Sequence, residues 1–364
     1  MILEKVTLEN FRSAESASLH FDAGVNLLYG DNAAGKTNVL EAIYFFARGK
    51  SFRAARESEL VRFGADGCAA EIEFTRRGVR ETLGYRYYDG VRRRTKNGVK
   101  MPVRETLGVF CAVLFCPDHL SIIKRTPAER REFLNAAIAQ TSREYVAALG
   151  RHKKLMGNKC ALLRREDGFD PSLMESYNEE LAVVSAEILT ARRAYLLRLG
   201  ESVARTLAEI SGGRENARIA YKCDIPAEKS RKEDVINTYR DLFRANLARE
   251  TAARTSLCGV QRDDLVFYVN GREARQFASQ GQQRSVALAL KLGEGEILAA
   301  ELGEEPVYLL DDVLGELDET RKSYILSRTG GRQLIVTACE KNDYDALTGV
   351  KKIRACDGRY TEEE

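Results

Sequence analysis

Apolar and polar positions change texture twice along the chain. Over the first 115 residues or so, short apolar stretches alternate with turns. ILEKVTLENF and VNLLYG read as strands, and the second runs directly into a glycine-rich loop. Asn38 to Arg48 has helical spacing, with Leu40, Ile43 and Tyr44 on one face. AAEIEF alternates strictly: Ala70, Ile72 and Phe74 point one way, Glu71 and Glu73 the other, which predicts a half-buried strand. RETLGYRYYDGVRRR predicts a hairpin turning at Asp89-Gly90.

From Ala128 to about Ile210 the period lengthens. Leu149, Met156 and Leu163 recur every seven residues, with Ile138 and Tyr145 as a partial second row. After EDGFDP a second run steps by four and three through Leu173, Tyr177, Leu181, Val184, Ile188, Ala191, Tyr195 and Leu199. This predicts an antiparallel helical hairpin with its tip at Asp167 to Asp170. Each arm has at most about 38 residues, or roughly 55 Å at 1.5 Å per residue. Two forms are open: a projecting arm or a compact helical domain, the latter favoured by Gly150 and Gly157 within the first run.

From about Ala217 the first texture returns. LVFYVNG reads as strand and turn, SVALALKLGEGEILAA as an apolar helix, and PVYLLDD and QLIVTA as buried parallel-type strands. The predicted organisation is an α/β domain in two lobes, residues 1–119 and 211–364, split by a helical insertion at 120–210. The terminal EEE reads as a solvated tail.

Composition narrows the class without fixing it. The chain has 364 residues, 44% hydrophobic and 30% charged, with a net charge of only +3, so overall charge does not name a partner. No stretch approaches 18 apolar residues without charges, and MILEKVTLENFR lacks the apolar core of a signal peptide. The expectation is a cytoplasmic protein with no membrane association. Eight cysteines and three histidines (His20, His119, His152) are scattered without zinc-type spacing, so reduced thiols are expected.

Chemistry enters at YGDNAAGKTN. Gly30, Asp31, Asn32, Ala33, Ala34, Gly35, Lys36, Thr37 and Asn38 follow a strand and open a helix, the context a phosphate-binding P-loop needs. Backbone N–H groups and the helix N-terminus would wrap phosphates. Lys36 would neutralise β/γ oxygens, and Thr37 would present its hydroxyl to Mg²⁺. In VYLLDDVLGELD a buried strand ends at Asp311-Asp312. Asp311 is the expected second Mg²⁺ ligand, and Asp312 the general base that polarises water. FASQGQQRSVALALKL places Ser279, Gly281 and Gln282 at the head of a long helix, and resembles the signature motif of ATP-binding-cassette ATPases. There this element closes on nucleotide held by a second subunit, so one P-loop and one signature imply an ATP-dependent head-to-tail homodimer. P-loop before the insertion and signature after it is similar to the layout of SMC-type heads. An insertion under 100 residues is too short for an SMC arm.

Together LENFRS, GDNAAGKTNVLEAIY, GKSFR, FCPDHLSIIKRTPAERREFLN, RDDLVFYVNGREARQFASQGQQRSVALALKL and LLDDVLGELD resemble the RecF recombination-mediator family, in its order and near its spacing over nearly the whole chain. The resemblance implies a cytoplasmic bacterial ATPase that binds ATP and Mg²⁺, dimerises with ATP, binds duplex and gapped or single-stranded DNA, and works with RecR and RecO to load RecA. Its ATP hydrolysis would be slow and stimulated by DNA. The resemblance also places Arg12 of LENFRS among the nucleotide-binding residues. Departures are Gly315 where Ser is expected, Val260-Gln261 where Pro-His is expected, and Pro117-Asp118-His119 with no Gln, leaving Asp118 as the candidate there. The switch residue stays open among Thr337, Ala338 and Cys339.

Between Arg76 and Arg104, ten Lys or Arg face two acids. Arg92, Arg93, Arg94 and Lys96 follow the predicted hairpin turn, among Tyr85, Tyr87 and Tyr88, and are the candidate DNA contacts, through phosphate rather than base edges. Arg143, Arg151, Lys153, Lys154, Lys159, Arg164 and Arg165 form a second basic row. Rival readings are a transporter's ATPase subunit, an SMC-like structural or nuclease-paired ATPase, and a non-hydrolysing DNA clamp.

Overall fold

The computed structural model describes residues 1–166, 168–340 and 349–363. They form two compact units: residues 1–122, 202–215 and 279–364 make the first, and 123–201 with 216–278 the second.

The first unit holds two six-stranded sheets. One is antiparallel, in the order Ala14–His20, Ile2–Phe11, Gly67–Arg76, Val79–Tyr88, Val91–Lys96, Val99–Lys100. The predicted alternation holds here: Ala70, Ile72 and Phe74 are buried while Glu71 is exposed. The predicted hairpin turn is present, with Asp89 and Gly90 both at positive φ (46° and 74°), as a type I′ turn requires. The other sheet has the order Arg359–Glu363, Lys351–Cys356, Val25–Tyr29, Leu334–Ala338, Val307–Leu310, Ala112–Phe115, parallel throughout except its first strand.

Between the two sheets lies the helix Lys36–Arg48. Sequence spacing gave it one apolar face, but Val39, Leu40 and every residue from Ala42 to Ala47 are buried. Leu3, Val6, Ile72 and Phe74 of the antiparallel sheet join Leu28, Leu114, Leu309 and Ile335 of the parallel one in a single core around it. Fixing this helix on all sides fixes the loop that precedes it.

The C-terminal acids do not form a solvated tail. Arg359–Glu363 is an edge strand, Glu362 accepts from the His20 amide at 2.9 Å, and Glu363 accepts from the Tyr29 hydroxyl. Glu364 lies outside the described residues.

The second unit is larger than the expected insertion. Besides the helices it takes residues 216–278, which the sequence reading had given to the C-terminal lobe. Buried charge explains why. Arg130 forms a bidentate pair with Asp264 at 2.7 and 2.8 Å, and Arg131 donates to the Asp263 carbonyl at 2.7 Å. Arg192 donates to Tyr145, Tyr221, Asn135 and the Val260 carbonyl, all within 3.0 Å. These bonds bind the strands Ala217–Lys222 and Asp264–Val269 to the helices.

The first expected arm is two helices, Pro127–Ala139 and Arg143–Leu163, because Ser142 caps a new start by accepting from the Tyr145 amide. The buried row follows the partial second one: Ile138, Tyr145, His152 and Lys159 are buried, as is Leu163, whereas Leu149 and Met156 are only half-buried. Lys159 pairs with Glu250 at 2.7 Å, both fully buried, and its Nζ lies 4.6 Å from the Phe243 ring centroid. A third helix, Lys232–Ala253, therefore covers this arm, as in the compact form. The second arm, Pro171–Ser211, buries Leu181, Val184, Ile188, Tyr195 and Leu199 as expected, while Leu173 is exposed and Met174 is buried beside it. Of the predicted tip, Asp167 lies outside the described residues.

Candidate functional site

Parallel register brings the chemistry together. Tyr29 pairs with Ala338, and Leu310 pairs with both Val336 and Phe115. The strands thus end at one edge, which carries Gly30, Asp311-Asp312 and Thr337. Ligands of open α/β sheets bind outside such carboxyl ends.

The loop from Gly30 to Gly35 turns through three left-handed positions, Gly30 (φ 148°), Ala33 (φ 67°) and Gly35 (φ 103°). A Cβ at Gly30 would meet the Ala355 carbonyl oxygen at 2.2 Å, so the backbone approach needs glycine. Lys36 Nζ reaches back over the loop to the Gly30 and Asp31 carbonyls, at 2.5 and 3.0 Å. Beside it is a cavity of about 270 Å³, lined by Asn32 to Asn38, Arg53 and Asp312.

Thr37 donates its hydroxyl to Asp311 Oδ1 at 2.8 Å, so the two expected Mg²⁺ ligands already touch. Burial pushes the Asp311 carboxyl above its ordinary value, opposed by the bond from Thr37, and a divalent cation beside it would offset that penalty. The donor set fits Mg²⁺, which keeps waters and phosphate oxygens and needs only one or two protein oxygens. Asp312 is exposed and its φ is 48°. Thr337 secures both acids: its Oγ1 accepts from the Asp312 amide at 2.9 Å and lies 3.1 Å from Asp311 Oδ1. Of the three switch candidates, Thr337 is the one that touches the carboxylates. Cys339 is exposed, with its Sγ 3.3 Å from Asn32 Oδ1.

Other candidates sit apart from this cavity. Arg12 makes a bidentate pair with the buried Glu41, at 2.6 and 2.9 Å, and donates to the Glu59 carbonyl. Arg12 does not line the cavity; Arg53 does, and it donates to Asn38 Oδ1 at 3.1 Å. Arg53 belongs to GKSFR, but nothing in that stretch distinguishes it from its neighbours without the structure. Asp118 is exposed on the short helix Pro117–Leu120, and Gly315 faces open space. Ser279 caps the helix Gln280–Leu302 in a reciprocal pair with Gln282. Arg321 donates to the Gly281 carbonyl at 2.9 Å. Ser279, Gly281 and Gln282 do not line the cavity beside Lys36.

The basic hairpin divides. Arg92 and Arg93 are exposed, Arg92 within 3.4 Å of Glu57. Lys96 pairs with Glu81 at 2.7 Å. Arg94 is not a DNA contact: it is 6% exposed, donates to the Gly49 carbonyl at 2.7 Å and lies over the Phe45 ring at 4.5 Å. Arg94→Ala is expected to cost about 2–4 kcal/mol of unfolding free energy, from lost packing and an orphaned carbonyl. Arg92→Ala with Arg93→Ala is expected to stay within about 0.5 kcal/mol. Urea unfolding of the two variants checks this, and equal losses would contradict it.

Comparison with known proteins agrees with this geometry. The family model for the RecF/RecN/SMC N terminal domain matches residues 2–361. A protein of Caldanaerobacter subterraneus subsp. tengcongensis named DNA replication and repair protein RecF is 36% identical, over 95% of this chain and 96% of its own. The chain belongs to the RecF family. A Symbiobacterium thermophilum RecF is also 36% identical, over 94% of this chain and 92% of its own. A solved structure described as the recombination mediator protein RecF with ATP, in the RecFOR pathway, superposes with a TM-score of 0.94 at 34% identity, covering 100% of this chain and 98% of that one. The Smc head of Pyrococcus furiosus shares the fold alone, at 18% identity and a TM-score of 0.58. The α/β cassette head split by an insertion is thus the RecF and SMC-head fold. Among the described residues no helix is long and apolar enough to cross a membrane.

Proposed function

We propose that this chain is an ATP-dependent, DNA-binding recombination mediator. In this reading ATP and Mg²⁺ bind at the P-loop, two copies join head to tail across two nucleotides, and the dimer engages DNA at single-strand gaps in the cytoplasm. With RecR and RecO it helps load RecA. The observation that carries the reading is the meeting of Lys36, Thr37, Asp311 and Asp312 at one sheet edge, while Ser279 lies outside the cavity that Lys36, Thr37 and Asp312 line. A helix N-terminus with an exposed serine, away from the cavity beside Lys36, suits nucleotide held by a second copy.

The residues divide the work. Lys36 and the loop amides bind phosphates, Thr37 and Asp311 hold Mg²⁺, and Asp312 takes a proton from the attacking water. Mg²⁺ would supply charge neutralisation of the β and γ oxygens. Of the four predicted hairpin contacts, Arg92 and Arg93 are the exposed ones and are available to DNA phosphates. Dimerisation would double them, so duplex binding should depend more steeply on salt with ATP than without it, by about −0.9 in slope per added phosphate contact.

Ser279→Arg tests the shared site. The variant monomer is expected to bind ATP within about twofold of the parent, because Ser279 serves the other copy. It should form no ATP-induced dimer in sedimentation, and its duplex salt slope should not steepen with ATP. Dimers with a normal slope would contradict the head-to-tail arrangement.

A further inference from the structure

We propose that the C-terminal hairpin, Lys351–Cys356 with Arg359–Glu363, aims the phosphate-binding loop, and that Tyr360 is a positioning residue for nucleotide phosphate. The inference rests on the nucleotide reading above. In a trans planar peptide the C=O and the following N–H point in opposite directions. The Ala34 carbonyl accepts from the Gly358 amide at 3.1 Å, and the Gly35 carbonyl accepts from the Tyr360 hydroxyl at 3.0 Å. Both carbonyls are therefore held toward the hairpin. The N–H groups of Gly35 and Lys36 in the same two peptide planes point away from it, and both residues line the cavity.

The hairpin packs closely on the loop and on the turn at Ser13. A Cβ at Gly358 (φ 74°) would sit 2.3 Å from the Ser13 carbonyl oxygen, and one at Gly35 would sit 2.8 Å from the Tyr360 oxygen. The strand is anchored behind by Glu362, which pairs with Lys351 at 3.0 Å and accepts from the His20 amide. The Gly35 carbonyl also accepts from the Asn38 amide at 3.0 Å. Loss of the Tyr360 hydroxyl thus leaves the helix start intact and removes one of the two bonds that orient this peptide plane.

The test is Tyr360→Phe in the full chain, titrated calorimetrically with ATP and with ADP. Both affinities are expected to fall by about fivefold, the worth of one hydrogen bond. KM for ATP should rise by the same factor, with kcat at saturation within about twofold. The melting temperature without nucleotide should stay within about 2 °C, a readout that a merely structural role would move. Gly358→Ala should weaken binding by more than about tenfold, since the new Cβ pushes the turn off Ala34. If that variant does not fold, Tyr360→Phe decides. Parental affinity in Tyr360→Phe would overturn the proposal, and so would a fall in nucleotide-free stability that accounts for the weaker binding. Failure of the parent chain to bind ATP would overturn the nucleotide reading and this inference with it.

Discussion

Lys36→Met is expected to abolish ATP binding and nucleotide-driven dimerisation together. Lys36 is 4% exposed, and its ammonium is clamped between the Gly30 and Asp31 carbonyls. It is thus pre-positioned at the loop, with little side-chain freedom left to lose when phosphate arrives. Charge-assisted hydrogen bonds contribute about 1.5–3 kcal/mol each, so losing those to the β and γ oxygens weakens nucleotide about 10²- to 10³-fold or more. Methionine keeps the length of the stem, so the fold should survive. Fluorescence titration with a labelled ATP analogue measures the loss, and sedimentation with ATP reads the dimer. Parental affinity in this variant would show that Gly30 to Thr37 is not the phosphate site.

Asp312→Asn is expected to separate binding from turnover. Thr37 and Asp311 remain to hold Mg²⁺, and Lys36 is untouched, so ATP affinity should change little. Hydrolysis should slow by about 10²- to 10⁴-fold, the usual contribution of a general base. The isosteric amide can still sit at the left-handed backbone position, which asparagine tolerates as well as aspartate does. The Asp312 amide keeps its bond to Thr337. Dimers formed with ATP should then persist rather than dissociate. Single-turnover hydrolysis in the presence of duplex DNA is the measurement, and a parental rate would move the base to another residue.

Both predictions rest on motifs that were legible because each is local. A loop of fixed spacing between strand and helix, or an apolar strand ending in two acids, carries its geometry with it. Only the pairing of Tyr29 with Ala338 and of Leu310 with Val336 was needed to join them. The second helical arm was legible for the same reason, since Leu181 to Leu199 keep one apolar face. The first arm was not. Its buried row runs through His152 and Lys159, and what makes Lys159 an interior residue is Glu250, on another helix far along the chain. Arg94 misled in the opposite direction: it reads as one of three equivalent arginines, and what sets it apart is Phe45 and Tyr85 packed against it and the Gly49 carbonyl it donates to. Within residues 216–278 only LVFYVNG reads as a strand, and nothing local ties it to the helices rather than to the C-terminal lobe. The bonds that place these residues, from Arg130, Arg131 and Arg192, join groups far apart in sequence. The final acids looked like a tail because charge at a terminus usually is one. Their partners His20, Tyr29 and Lys351 are set by sheet topology alone.

The central position of the strand Val25–Tyr29 has a consequence for synthesis. Both of its neighbours, Leu334–Ala338 and Lys351–Cys356, are made roughly 300 residues after it. At about 5–20 residues per second, the strand and its loop wait some 15–60 s with neither edge paired. The second unit, residues 123–201 and 216–278, can gather its own core during that wait. The nascent chain thus carries an apolar strand with two open edges for most of its time on the ribosome, the kind of segment that holdase chaperones cover. Nucleotide capture at this loop would thus wait until Leu334–Ala338 and Lys351–Cys356 have been made and paired.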